Sequence, residues 1–181
     1  MSTEAYQRAS RSRRNPDQPA FAANVPQRLR ADELYDNVLT ALNVRESTFS
    51  FGGPYAGAGG PRFGRGGPRQ LFASAFGYDP SERRDEVAGT IPQALLMMNS
   101  PSVGGQVSGG SSRSGLGKLL NDIKDDKALI GELYLRTLAR EPSQKEIDTC
   151  LAHIKETGGR TEAFEDIHWS LINSTEFLYR R

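Results

Sequence analysis

The chain of 181 residues carries 23 Lys and Arg against 22 Asp and Glu, a formal net charge of +1, which argues against a surface built throughout for polyanions. Hydrophobic residues make up 36%, and 19 Gly and 10 Pro add many breakers, so one domain with irregular segments is expected. Cys150 is the only cysteine, which excludes an internal disulfide and a cysteine-based metal cluster.

Residues 1–30 read as an extended basic arm. Arg8, Arg11, Arg13, Arg14, Arg28 and Arg30 face only Glu4 and Asp17 there, and Asn15-Pro16, Gln18-Pro19 and Val25-Pro26 keep interrupting helix. The first segment, Met1 to Arg14, lacks the apolar stretch of a signal peptide, and no apolar run approaches the ~20 residues of a membrane span. Residues 31–181 are expected to form a helical domain interrupted by Gly-rich loops at 50–68 and 104–115. Leu34, Val38 and Leu42 recur at i, i+4 and i+8, which predicts a helix over 31–42. A short helix over 70–76 follows the first Gly/Pro loop, with Gly77 suited to a left-handed stop. Thr90 and Gln93 have capping-box spacing ahead of Ala94-Leu95-Leu96-Met97-Met98, and Pro101 with Gly104-Gly105 is expected to end that helix.

The last third is the best defined. Leu116 to Ile123 predicts a short helix. Asp125 or Asp126 caps a helix carrying Leu129, Ile130, Leu133, Tyr134 and Leu138, stopped by Glu141-Pro142. Ser143 and Glu146 form a capping box before Ile147, Cys150, Leu151 and Ile154, and Gly158-Gly159 stops that helix. A third helix opens at Thr161 with Phe164, Ile167, Trp169, Leu171 and Ile172 inward, and Ser174 caps a final turn. The fold class is therefore mainly α: a small C-terminal helical bundle with long Gly/Pro-rich irregular segments.

Candidate chemistry is sparse. Arg62-Phe63-Gly64-Arg65-Gly66-Gly67 contains one RGG triplet, the kind of segment in which arginines meet phosphates and aromatics stack on bases, but there is no repeat. Gly110 to Lys118 fails as a phosphate loop, because Ser112 stands at the first glycine position and Leu119 follows the lysine. Cys150 and His153 cannot make a covalent haem site, which needs two cysteines. Cys150 is expected to be a small core hydrophobe, His168 a core-edge histidine and Trp169 a packing anchor. The pairs Asp125-Asp126 and Glu165-Asp166 lie near helix starts, where they complement the macrodipole. No catalytic, cofactor-binding or metal residue is assigned.

Several segments together resemble one family. Gln93-Ala94-Leu95-Leu96-Met97-Met98-Asn99-Ser100-Pro101, Glu132 to Pro142, and Trp169 to Leu178 are similar to its "QALhhhNSP", "ELYLxTLxRxPT" and "WxLLNSxEFLF" motifs. Pro26 to Leu34 and Phe76-Gly77-Tyr78-Asp79-Pro80 resemble two further segments in the right order. The family is that of domain of unknown function 1553, found in large exported planctomycete-type proteins, usually after a domain of unknown function 1549 and often behind a cytochrome-c-like domain. The resemblance implies a partner of either kind and an exported setting, and it carries over no catalytic residue. Ser2 to Arg8 is similar to an internal family segment, which implies that Met1 begins inside the domain. Arg83 to Glu86 stands where many members carry a cysteine-containing stretch, and the insertion at 50–68 departs from the pattern. The ending also faintly resembles bacterial helical linker modules.

The expectation is a non-catalytic helical module serving as a structural or docking part of a larger exported protein system. One alternative is a fragment of a redox or carbohydrate enzyme, with the Asn99-Ser100 and Asn173-Ser174 turns lining a cleft shared with an upstream domain. A second is arginine-mediated nucleic-acid binding.

Overall fold

The structure, a computed structural model, describes residues 27–45, 68–77, 81, 89–99 and 101–180. Most of these are helical, as the apolar periodicity predicts. The two ends of the described part are paired: β1 (Gln27–Arg28) runs antiparallel to β2 (Tyr179–Arg180), with Gln27 opposite Arg180 and Arg28 opposite Tyr179. Leu29 extends the pairing by donating its N–H to the Leu178 carbonyl at 3.0 Å. Of the arm expected over 1–30, residues 27–30 are thus joined to the body, and residues 1–26 lie outside the described part.

Helix α1 (Ala31–Ala41) buries Leu34, Tyr35, Val38 and Ala41 on one face. It packs on α2 (Pro68–Phe76), where Phe72 stacks on Phe76 at 4.3 Å between centroids and meets Tyr35 edge-on at 5.4 Å. The stop after α2 is not a left-handed glycine. Gly77 is needed for room, since a Cβ there would lie 2.6 Å from the Ala73 carbonyl oxygen. Helix α3 (Ile91–Asn99) is followed by α4 (Pro101–Val107), a helix where a Gly-rich loop is expected. Pro101 ends one helix and opens the next, because the first helical position needs no N–H. Gly104 and Gly105 are carried along by Val103 and Val107, whose burial at i and i+4 outweighs the glycines' poor propensity. The expected loop at 104–115 shrinks to 108–114. The Gly-rich loop at 50–68 lies outside the described residues, except that Pro68 begins α2.

The remaining helices are α5 (Gly115–Asp122), α6 (Asp126–Leu138), α7 (Gln144–Thr157), α8 (Arg160–Ile172) and α9 (Thr175–Leu178). Ser114, Asp125, Ser143 and Ser174 cap α5, α6, α7 and α9 with side-chain oxygens, which satisfies N–H groups the helices leave open. Gly158 closes α7 in the left-handed region at φ 73°. Helix α6 ends before the expected Pro142 stop, at Ala139, which itself adopts φ 53°.

Two apolar clusters form the core. One gathers α1 to α4 with Ile172 and Phe177, and the other gathers α5 to α8 around Leu116, Leu129, Leu133, Phe164 and Leu171. Leu138 touches both, and α8 supplies Leu171 to one and Ile172 to the other. The inward stripe of α8 is Phe164, Ile167, His168, Leu171 and Ile172. This reverses two expectations: His168 is fully buried, and Trp169, one position past the stripe, is 37% exposed instead of anchoring the core.

Candidate functional site

Two of the motif segments, Glu132 to Pro142 and Trp169 to Leu178, meet at a guanidinium. Arg140, just past α6, donates Nε to Glu176 Oε1 at 2.8 Å and Nη2 to Glu176 Oε2 at 2.9 Å. Its other edge donates Nη1 and Nη2 to the two oxygens of Glu146 at 3.0 and 2.7 Å. Glu146 also closes the capping box of α7 by accepting the Ser143 N–H at 2.8 Å. One planar group therefore binds two carboxylates edge to edge, a geometry only arginine offers. The Arg140 hydrogen bond, helped by Ser143, holds Glu146 down at about 2, and Arg140 is pushed above the ordinary arginine range. This cluster is a clasp between α6, α7 and α9; every polar atom named is engaged.

The other candidates are also engaged structurally. Asp125 accepts the Ala128 N–H at 2.8 Å, and Asp126 accepts Arg160 Nε at 2.7 Å. Glu165 Oε1 accepts the Gly109 N–H at 2.6 Å and the Ser108 hydroxyl at 3.2 Å, which pins the 108–114 turn to α8. Asp166 pairs with His153 at 3.0 Å across α7 and α8. Cys150 points inward; burial, the largest effect, pushes its thiol up and keeps it protonated and unreactive. Its neighbour Tyr134 is raised to about 12, again chiefly by burial. Among the described residues, no group of three or more His, Cys, Asp or Glu could hold a metal ion. The RGG triplet at 65–67 and the stretch at 83–86 lie outside the described residues.

Sequence reasoning missed Arg160. Its guanidinium donates to the Leu120 and Ile123 carbonyls at 3.2 and 2.8 Å, so it caps the end of α5 while pairing Asp126 on α6 and lying over the Phe164 ring. The only sequence signal is an arginine at a helix start, where its charge opposes the macrodipole. It missed Gln93 as a junction as well. Gln93 fulfils its half of the capping box, accepting the Thr90 N–H at 3.1 Å, but its Oε1 also accepts from buried Arg28 and its Nε2 donates to the Ala75 carbonyl at 2.9 Å. One side chain thus joins β1, α2 and α3.

Apart from Leu135 on α6 and Trp169 on α8, the exposed large apolar residues among those described lie on α3. Ile91 is 77% exposed, Leu95 51% and Met98 47%, spaced i, i+4 and i+7 and so on one face. Beside them opens a cleft of 320 Å³ lined by Phe76, Ile91, Met97, Met98, Ile172 and Leu178, with Arg28 and Asn173 at its wall. Asn173 lines this cleft, its amide donates to the Trp169 carbonyl at 2.9 Å, and the Ser174 hydroxyl serves the α9 cap. Ser100 lies outside the described residues. Among the described residues, no helix is long and apolar enough to cross a membrane.

No protein-family model, curated protein or solved structure matches the chain.

Proposed function

We propose that this chain is a non-catalytic helical module that serves as a docking part of a larger exported protein system. The observation that carries the reading is the α3 stripe of Ile91, Leu95 and Met98, large apolar side chains left in water on a helix that Met97 anchors in the core. The occupant of this stripe is an apolar surface on a domain of unknown function 1549. Its support is twofold. The family resemblance has such a module preceding this one, and Arg28, in the first described strand, stands on the wall of the cleft beside the stripe.

The test is binding of the full chain to a purified 1549-type domain, followed by analytical ultracentrifugation. A complex is expected, and Ile91→Asp with Leu95→Asp should weaken it at least about tenfold while leaving the melting temperature unchanged, because both side chains are already exposed. Absence of a complex, self-association of the chain in its place, or undiminished binding by the double variant overturns the reading.

A further inference from the structure

A second concave surface lies away from the α3 stripe, where the end of α1 meets α4, α5 and α6. It is an open cleft of 770 Å³, within the size range of small-molecule sites. Four cationic residues line it: Arg45 after α1, Arg113 in the 108–114 turn, Lys118 on α5 and Arg136 on α6. No acidic residue is among the described residues that line it. A chain with a net charge of +1 has no general excess of base to leave in one place, so the four positions are a local concentration.

The surroundings add hydrogen-bond donors and an apolar floor. Gln106 accepts the Gly115 N–H through Oε1 at 3.3 Å, which leaves its amide NH2 as a donor. Leu39 and Val44 supply apolar wall. The first turn of α5 carries no acidic side chain, so its positive end, with Lys118 beside it, stays uncompensated by carboxylates of its own. Arg136 is held by Glu132 at 2.5 Å, which fixes the guanidinium and leaves its other edge to donate. Arg113 and Lys118 are exposed at the rim, on elements separate from the helix that carries Arg136.

The geometry points to a binding site for a small organic polyanion carrying several phosphate or sulfate ester groups, held by Arg113, Lys118 and Arg136. Several separated cations suit several separated oxyanions better than one, and guanidinium groups match tetrahedral oxyanions edge-on. The volume exceeds what a lone phosphate fills, and the apolar wall takes the ligand's carbon frame. This site is independent of the docking reading, since it shares no residue with the α3 stripe or its cleft.

Isothermal titration of the full chain with inositol hexakisphosphate, sucrose octasulfate, inorganic phosphate and uncharged inositol tests it. Saturable binding of one or both of the first two is expected, and which one binds identifies the ester class. Inorganic phosphate should bind far more weakly and inositol not at all. Arg113→Gln and Lys118→Gln should each weaken binding about tenfold, the loss of one charge-assisted contact, with melting unchanged in the absence of ligand. Two results overturn the proposal: no binding of either polyanion at millimolar concentration, or binding unchanged when Arg113→Gln and Lys118→Gln are combined. Tighter binding of a single-stranded oligonucleotide than of either small polyanion also overturns it, and makes the cleft part of a nucleic-acid surface.

Discussion

Arg140 and Glu176, 36 positions apart, face each other through two parallel N–H···O bonds of 2.8 and 2.9 Å. The same guanidinium grips Glu146 with its remaining edge, so a single side chain fixes where α9 lies against α6 and α7. With the three side chains about a fifth to a third exposed, solvent screens part of the attraction. Arg140→Ala is expected to destabilise by ~1–3 kcal/mol in urea unfolding. Arg140→Lys should recover less than half of that, because an ammonium cannot fork to two carboxylates. Equal stability of the lysine variant and the parent chain would refute the clasp.

Gly115 allows α5 to touch the end of α1. A Cβ at this position would lie 1.8 Å from the Leu42 carbonyl oxygen, a backbone atom that cannot rotate away. Gly115→Ala should therefore force the two helices apart and cost ~1–3 kcal/mol, whereas Gly131→Ala, where a Cβ meets nothing within 4 Å, should be neutral or slightly stabilising. Calorimetric melting of the pair checks the contrast.

His168 is fully buried with neither ring nitrogen in a hydrogen bond; the Ala41 carbonyl favours the charged ring electrostatically but misses bonding geometry. Burial, aided by the nearby Arg136 charge, lowers its pKa from 6.5 to about 4. The folded state thus favours the neutral ring. Its share of stability is whole above pH 6.5 and is lost as pH falls towards about 4, where the unfolded chain binds the proton first. The loss amounts to ~3 kcal/mol. His168→Leu should flatten the curve in that window and be at least as stable near neutrality. Glu146 titrates separately: its contribution is present above 4.5 and fades as pH falls through about 2. An unchanged acid slope in His168→Leu would contradict the assignment.

Leu133 and Leu171 belong to the cluster shared by α5 to α8. Leu133→Ala, at a fully buried position, should cost ~2–5 kcal/mol, with Leu171→Ala at the lower end of that range. Thermal melts indistinguishable from the parent chain would mean that this cluster does not hold the bundle.

The features legible in the sequence are those written within a few residues. Ser143 with Glu146, Asp125, Ser174 and Gly158 announce helix ends because a cap and its N–H groups are at most three residues apart. Leu34 and Val38, or Leu129 and Leu133, announce a buried face by spacing alone. The features that escape depend on partners far along the chain. Nothing near Arg160 signals that it serves the carbonyls of Leu120 and Ile123, and nothing near Gln93 signals Arg28 or Ala75. His168 and Trp169 exchange places because a one-residue rotation of α8 decides which enters the core, and the packing of α8 on α6 and α7 sets that rotation. The cationic cleft is illegible for the same reason: Arg45, Arg113, Lys118 and Arg136 are dispersed in the sequence and meet only in three dimensions.

The short ladder of Gln27 with Arg180 and Arg28 with Tyr179 has a mechanical consequence. Because the two strands are antiparallel, a force that pulls Gln27 and Arg180 apart opens the ladder one rung at a time instead of shearing both rungs together. Behind that seam, the Leu29 N–H to Leu178 carbonyl bond and buried Phe177 come under load next. The stretch from Gln27 to Arg180 therefore closes on its own stem, and its 154 residues separate those two positions by no more than the width of one ladder rung.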